Sequence, residues 1–171
     1  MVIKMKKILI ITGDKCDDSE FFYPYYRLIE EGFAVDVATI DKKDAEAKHY
    51  LKIKSDCSVC DVNTDDYCAL LLPGGGAPEK LRINDDVLNI VKNFNDSKKP
   101  IAAICHGPQI LISAGVLKGK KATCYKGIKD DILNSGALYE DSDAVVCENI
   151  VTSRCPDDLP AFMKNFINII K

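Results

Sequence analysis

The sequence has little net charge, few histidines and no apolar run long enough to cross a membrane. Its 23 basic residues nearly balance its 26 acidic residues, for a net charge of −3, and no basic stripe alternates with aromatics. This pattern removes the usual electrostatic basis for nucleic-acid binding. The apolar stretch at the N-terminus, Met1 to Ile11, is too short for a membrane span and lacks a small-residue cleavage site. We therefore expect a cytoplasmic protein without nucleic-acid or membrane partners.

The chain also lacks internal repeats, low-complexity tracts and interdomain linkers. Its 171 residues fit one domain, and a hydrophobic content of 47% suffices for a substantial core. We therefore expect a single domain over residues 1–171. Its eight cysteines, in a sequence with no recognisable export signal, are typical of reduced thiols rather than of a disulfide scaffold.

Buried apolar runs alternate with helical patterns along the chain. The segment from Tyr50 to Ile53 alternates like an exposed strand and predicts a small hairpin beside the main sheet. The order of elements predicts an α/β fold, a three-layer sandwich with a mainly parallel, doubly wound, flavodoxin-like sheet. The predicted strands are Lys7–Thr12, Phe33–Ile40, Ala69–Leu72, Pro100–Ile104, Ala122–Cys124, Ala144–Cys147 and Ile150–Thr152. The predicted helices are Asp17–Glu31, Asp85–Asn95, the segment from Cys105 to Gly115, Ile128–Asn134 and Asp157–Ile170.

A cysteine stands at one of the strand-to-helix junctions. The strand Pro100–Ile104 ends directly at Cys105, and helical spacing begins after it. The junction is similar to the nucleophile elbow of G-x-S-x-G hydrolases, with Cys in place of Ser and with Ala103 and Gly107 as the small residues. A helix N-terminus beside a sulfur stabilises the thiolate and lowers the thiol pKa. We predict that Cys105 is an activated nucleophile; the alternative is a cysteine that only packs in the core.

His106, one of only two histidines, follows Cys105 directly and is a candidate base or cation. Because adjacent helical residues point apart, a third group must hold the imidazole toward the sulfur. A second feature, Gly74-Gly75-Gly76, lacks both the Lys-Ser/Thr ending of a P-loop and dinucleotide-binding spacing. We predict that the backbone N–H groups of Gly75 or Gly76, with that of His106, stabilise an oxyanion; the alternative is a tight turn.

Ligands of doubly wound sheets bind beyond the carboxyl ends of the strands, so the loops there are expected to converge. Cys16 and Cys155 lie in two of these loops, and either is a candidate resolving thiol after oxidation. Cys57 and Cys60 have metal-ligand spacing, with His49 as the one nearby soft ligand, but no second C-x-x-C follows, so zinc is a weak hypothesis. The four loops are Gly13–Asp18, Pro73–Glu79, the Cys105 elbow and Ser153–Pro156.

Nearly the whole chain resembles the PfpI family of intracellular cysteine peptidases, within the class I glutamine amidotransferase-like superfamily. The most specific match is Ala103-Ile104-Cys105-His106-Gly107-Pro108-Gln109-Ile110-Leu111-Ile112-Ser113-Ala114-Gly115-Val116-Leu117. Supporting matches are Tyr23–Leu28, Leu72–Glu79, Gly127–Asp131 and the pair Ser153-Arg154. A glutamine amidotransferase domain is disfavoured, since that chemistry places its histidine late in the chain and none follows His106.

The resemblance implies a role for each matching residue. Cys105 would be the nucleophile, His106 its base, and Glu79 the acid that orients the histidine of a neighbouring subunit in a dimer or hexamer. A family glutamate near the sulfur would be replaced by Asp17, which is one methylene shorter, with Asp18 as a substitute. The structural alternatives are a helix N-cap for Asp17 and a solvated loop charge for Glu79. Tyr125 and Arg154 would line the pocket.

The resemblance also implies the activity. We expect a cytoplasmic, stress-related cysteine hydrolase that acts on small peptides or on reactive-carbonyl adducts of thiols and amines, as a peptidase or a glyoxalase/deglycase-like enzyme. We expect no metal and no organic cofactor. The alternative is a non-catalytic redox sensor or holdase chaperone that uses an oxidisable Cys105.

Overall fold

The computed structural model describes residues 6–171. The predicted domain and the N-terminal apolar stretch both include residues 1–5, which lie outside the described residues. In chain order the strands are β1 (Lys7–Ile11), β2 (Ala34–Thr39), β3 (Ala45–Glu46), β4 (Lys52–Ile53), β5 (Cys57–Ser58), β6 (Ala69–Leu72), β7 (Ile101–Ile104), β8 (Lys121–Ala122), β9 (Leu138–Tyr139), β10 (Val145–Cys147) and β11 (Ile150–Ser153). The helices are α1 (Asp18–Glu30), α2 (Ala77–Leu81), α3 (Asp85–Asp96), α4 (Pro108–Ser113), α5 (Lys129–Asn134) and α6 (Leu159–Ile170).

A seven-stranded sheet forms the centre of the fold, with the strand order β10-β11-β7-β6-β1-β2-β5. Its pairs are parallel except for β10 with β11 at one edge. The order reverses direction between β1 and β6, as in doubly wound sheets, whose ligands bind where the strand order reverses. The predicted mainly parallel α/β fold is therefore confirmed.

Helices cover both faces of this sheet. Helix α1 packs on α6, and α3 packs on α4, so the two pairs form the outer layers. Because β6 and β7 are buried along their whole length, they consist almost entirely of aliphatic residues. The buried residues of α6, including Phe162 and Phe166, recur at helical spacing, and each large side chain buried in this way contributes about 1.5 to 3 kcal/mol.

The short elements differ most from the sequence predictions. The two-residue strand β5 and the five-residue helix α2 were not predicted, because neither is long enough to show a period. The predicted strand Ala122–Cys124 is reduced to β8, which pairs with β9 in a separate two-stranded sheet. The predicted hairpin at residues 50–53 is confirmed, since β4 pairs with β3 apart from the main sheet.

The carboxyl ends of four parallel strands meet at one edge of the sheet. Residues from the loops after β1, β6, β7 and β11 line a common cavity of about 1250 Å³, as predicted for a doubly wound sheet. The fold thus positions the predicted site at one place. Among residues 6–171, no helix has the length and apolar character needed to span a bilayer.

Candidate active site

Cys105 occupies a strained position at the end of β7. Its φ of 61° lies in the left-handed region, which non-glycine residues rarely adopt. Two backbone hydrogen bonds hold the turn: the Cys105 N–H donates to Ser153 O at 3.0 Å, and the Tyr125 N–H donates to Cys105 O at 3.0 Å. Only 8% of Cys105 is exposed, yet it lines the cavity. The elbow therefore presents the sulfur to a ligand while it shields most of the side chain from water.

His106 lies within contact of the sulfur, although adjacent helical residues point apart. The Cys105 Sγ and His106 Nδ1 atoms are 3.3 Å apart. The imidazole stacks on the ring of Tyr125, with 4.8 Å between ring centroids. This stacking supplies, within one chain, part of the restraint on the histidine. Burial lowers the pKa of His106, which favours the neutral ring that a base requires.

Glu20, in the first turn of α1, is the acid beside the sulfur. Its side chain is fully buried, and its Oε2 accepts a hydrogen bond from the Gly74 N–H at 2.9 Å. Glu20 Oε2 and Cys105 Cβ both lie against Gly74, which places the carboxyl beside the Cys105 side chain. Burial, and secondly the charge of Asp17, raise the pKa of Glu20 to about 7. Glu20 therefore exchanges a proton near neutral pH.

The structure corrects the predicted role of Asp17. Its Oδ1 accepts hydrogen bonds from the backbone N–H groups of Ser19 at 3.1 Å and Glu20 at 3.3 Å, which makes Asp17 the N-cap of α1. Asp18, the suggested substitute, binds the backbone and ring of His49. Glu20, and not an aspartate, therefore takes the place next to Cys105. Asp17 still lines the cavity and acts on Glu20 through its charge.

Sequence reasoning missed Glu20 because its spacing suggests a different role. An Asp followed three residues later by a Glu is the pattern of a capping box, in which the glutamate returns to the backbone of the cap. Here the Asp17 N–H points instead to Gly74 O, and Glu20 turns inward to the Gly74 N–H. One signal was available: Glu20 lies on the buried stripe of α1 with Phe21, Pro24 and Leu28.

The thiol itself is harder to ionise than the sequence suggested. Burial, and then the charge and hydrogen bonding of Glu20, raise the pKa of Cys105, whereas the backbone N–H groups of Gly75 and His106 lower it. The Glu20 contributions depend on an ionised carboxylate. When Glu20 carries the proton, its charge disappears and its O–H becomes a donor to the sulfur. The pair therefore resists the loss of both protons, and the thiolate forms more easily beside a protonated Glu20 than beside an ionised one.

Of the two glycines proposed as oxyanion donors, Gly75 and Gly76, only Gly75 has a backbone N–H available at the sulfur. Gly75 has a φ of +74°, in the left-handed region. A Cβ atom added at Gly75 would lie 2.6 Å from Lys15 O, so a side chain would not fit. Its N–H acts on the Cys105 sulfur, together with that of His106. The Gly76 N–H instead donates to Lys15 O at 2.7 Å. Since the Gly76 N–H is already bonded, the N–H groups of Gly75 and His106 remain the candidate oxyanion donors.

The remaining predicted residues are divided between the cavity and its surroundings. Tyr125 and Glu79 line the cavity. The Glu79 carboxylate makes no hydrogen bond or ion pair with a residue of the described part of the chain, His106 included, so its role toward a neighbour stays a prediction. Arg154 is not among the lining residues, because its guanidinium binds Asp158 and Asp141, both at 2.8 Å.

Of the other cysteines, Cys155 lines the cavity, whereas Cys16 is sealed from solvent. The Cys155 thiol lies 3.6 Å from Asp158 Oδ2, and burial raises its pKa. Cys60 contacts Ser58 at the surface, and His49 pairs with Asp18. Within residues 6–171, no group of three His, Cys, Asp or Glu side chains is arranged to hold a metal ion. The structure does not bring the suggested zinc ligands together.

A cysteine on a strand-to-helix elbow, with an adjacent histidine and a buried glutamate beside it, is the arrangement of a cysteine-nucleophile site on a doubly wound sheet. The DJ-1/PfpI family model matches residues 6–169, and the chain belongs to that family. The resemblance found in the sequence is therefore confirmed.

Relatives with assigned names point the same way. Deglycase PfpI of Pyrococcus furiosus is 47% identical over 165 residues, which are 96% of this chain and 99% of the relative. Protein/nucleic acid deglycase 2 of Escherichia coli is 39% identical, with 96% and 98% covered. A solved two-domain protein of Anabaena variabilis, with DJ-1/ThiJ/PfpI-like and ferritin-like domains, is 34% identical with a TM-score of 0.94 over 96% of this chain and 48% of its own. These findings support an enzyme of the cysteine hydrolase type.

Proposed function

We propose that the chain is a cysteine-dependent hydrolase in which Cys105 attacks the carbonyl carbon of small peptides or of reactive-carbonyl adducts of thiols and amines. The observation that carries the proposal is the Cys105 elbow: a sulfur at the wall of a large cavity, 3.3 Å from His106 Nδ1 and beside the buried carboxyl of Glu20. Two deglycase relatives share the family.

In the attacking form that we propose, Glu20 holds a proton and Cys105 has become a thiolate. Because the pKa of Glu20 is about 7, its carboxyl can accept that proton at neutral pH, which removes the negative charge that opposes ionisation of the thiol. His106 stays neutral and available as a base, since burial lowers its pKa. Each of the two acid–base groups therefore has a separate task.

The first step forms a bond between Cys105 Sγ and the carbonyl carbon, and the carbonyl π electrons move onto oxygen. The backbone N–H groups of Gly75 and His106, which act on the sulfur in the free site, are the donors that we assign to the oxyanion beside it. For a peptide, collapse of this intermediate breaks the C–N bond, and the amine leaves with the proton of Glu20. Water then adds to the thioester and gives one proton to His106; the C–S bond breaks, the acid leaves, and the sulfur recovers its electron pair. The proton on His106 replaces the one that left with the amine, so the site returns to its starting state.

We propose further that the protein self-associates as a dimer or hexamer and that Glu79 completes a neighbour's site. Glu79 lines the cavity with no bonding partner among the described residues. Two residues past α2, Ile83 is 80% exposed, which suits burial at an interface beside Glu79. The eight free cysteines support a reducing, cytoplasmic location.

Turnover of methylglyoxal and of fluorogenic peptides, measured in parallel, tests the function. We expect Cys105→Ala to lose at least about a thousandfold in turnover, since it removes the nucleophile. Cys60→Ala, which removes an exposed thiol outside the cavity, should retain wild-type turnover. Equal inactivity of wild type and Cys105→Ala, with ready peroxide oxidation of Cys105, would favour the redox sensor instead.

A further inference from the structure

The charged side chains of the cavity are not evenly distributed over its walls. Three lining carboxylates, Asp14, Asp44 and Glu46, belong to the loops around β1 and the β3–β4 hairpin. There they accept backbone hydrogen bonds or pair with Lys52. The wall formed by α2 and α4 carries a different set of groups. Its lining residues are Glu79, Arg82, His106 and Gln109.

Arg82 is the cation of this wall, and one hydrogen bond fixes its orientation. Its Nε donates to Ser113 Oγ, at the end of α4, at 2.9 Å. No carboxylate of residues 6–171 lies within 4.0 Å of the guanidinium, although Arg82 is the C-cap of α2 and Glu79 lies three residues earlier, on that helix. The terminal guanidinium nitrogens are therefore available to a ligand, and they match a carboxylate with two parallel hydrogen bonds.

Gln109 adds a second polar group on the same wall. It lies near the start of α4, between His106 and Ser113 along the chain, and its side-chain amide makes no hydrogen bond within the described residues. An amide N–H and a guanidinium that line one wall form a donor set suited to an anion. The cavity has other cations, Lys15, Lys48 and Lys52, but these lie on the wall that also carries Asp14, Asp44 and Glu46. On the α2–α4 wall, Arg82 alone presents the planar fork that matches a carboxylate.

We propose that Arg82, assisted by Gln109, binds a carboxylate of the substrate, so that the site prefers carbonyl compounds that carry one; this rests on the proposed attack by Cys105. The substrate class is a short peptide or peptide adduct with a free C-terminal carboxylate. Arg82 is a specificity-determining residue here and takes no part in bond making.

Matched acid and amide substrates test this preference. The first pair is an internally quenched tetrapeptide ending in a free carboxylate and the same peptide ending in a carboxamide. The second pair is the hemithioacetal that methylglyoxal forms with N-acetyl-Cys-Gly, again as acid and as amide. Wild type should show a lower KM for the acid of whichever pair it turns over. Arg82→Gln should raise that KM about tenfold or more while kcat, and the KM of the amide, stay within about twofold.

Two controls separate substrate binding from a structural role of Arg82. Lys80→Gln makes the same charge change on α2, at an exposed residue that does not line this cavity, and should leave both KM values unchanged. Arg82→Lys keeps the charge without the planar fork and should recover only part of the acid preference.

Each other outcome overturns the inference. Equal KM values for acid and amide in wild type, or equal rises for both in Arg82→Gln, would show that Arg82 only ties α2 to α4. Turnover of the amides without any acid preference would reject the carboxylate site and leave the Cys105 function standing. Absence of turnover with every substrate, methylglyoxal included, would reject both.

Discussion

Glu20 shows how one residue serves the site at a cost to the fold. A fully buried carboxyl, close to the charge of Asp17, is difficult to ionise, and its Oε1 atom has no hydrogen-bond partner within the described residues. The same burial gives it a pKa near neutrality, where it can give and take a proton at Cys105. The residue that exchanges a proton beside the sulfur thus makes the folded state less stable at high pH.

We predict that Glu20→Gln stabilises the protein, and more so as the pH rises. The pKa of Glu20 rises from 4.5 to about 7 on folding. Below pH 4.5 both states hold the proton; between pH 4.5 and 7 only the unfolded state releases it, so wild-type stability falls across this window. The glutamine variant avoids that loss, which is about 3 kcal/mol at 1.36 kcal/mol per pKa unit.

Chemical denaturation at pH 5 and pH 8 measures the difference. The free energy of unfolding of Glu20→Gln, relative to wild type, should be larger at pH 8 than at pH 5. Asp17→Asn, which retains an N-cap oxygen, should show a smaller change with pH. An offset between Glu20→Gln and wild type that is the same at both pH values would contradict the assigned pKa.

At the scale of elements, the β6–α2 loop carries much of the site in a few residues. Gly75 lies beside Cys16, with which it forms an isolated antiparallel bridge, and it directs its N–H toward Cys105. Its φ of +74° and the close backbone of Lys15 and Cys16 require glycine. The loop therefore links the strained turn after β6 to the elbow after β7.

Gly75→Ala should cost both stability and activity. An added Cβ would lie 2.6 Å from Lys15 O and 2.8 Å from Cys16 C, so the loop must move and its N–H must leave the sulfur. Gly115→Ala is the matched control, since Gly115 has a φ of +73° but nothing within 4 Å of an added Cβ. Thermal denaturation should show a loss of about 1 kcal/mol for Gly115→Ala and at least twice that for Gly75→Ala. Equal losses, with activity intact in both variants, would show that the close packing is unimportant.

Elements of different length were predictable to different degrees. The buried strands β6 and β7 and the long amphipathic helices α3 and α6 show their period directly in the sequence. Helix α2 has only five residues and follows three glycines, so the sequence shows a loop where the chain forms one turn of helix. The elbow was predictable because a buried strand, a cysteine and a helix follow one another. The proximity of Cys105 and Glu20 was not predictable, because the two residues lie 85 positions apart and are brought together only by the sheet order.

At the scale of the whole molecule, the proposed site is incomplete within one chain. His106 stacks on Tyr125 and contacts Cys105, yet no carboxylate of the described residues hydrogen-bonds its ring. Glu79 lines the cavity, and the exposed Ile83 follows it four residues later along the chain. A two-fold arrangement of subunits would offer the same surface from both partners, and each Glu79 would then reach the other subunit.

Complementation between two inactive variants tests this arrangement. Glu79→Gln keeps the nucleophile and lacks the acid, whereas Cys105→Ala lacks the nucleophile and keeps the acid. Unfolded, mixed in equal amounts and refolded together, they should recover about a quarter of wild-type activity in a dimer, because half of the dimers are mixed and each has one complete site. Activity no greater than the sum of the separate variants would place Glu79 outside the neighbour's site.

Mass spectrometry of the protein, acid-quenched during turnover, tests the central claim most directly. If Cys105 forms the covalent intermediate, the peptide that contains it should carry the mass of the acyl group in wild type. The peptides that contain Cys60 and Cys155 should stay unmodified, and no adduct should form in Cys105→Ala. Full turnover with Cys105 unmodified throughout, or turnover that persists in Cys105→Ala, would contradict the account.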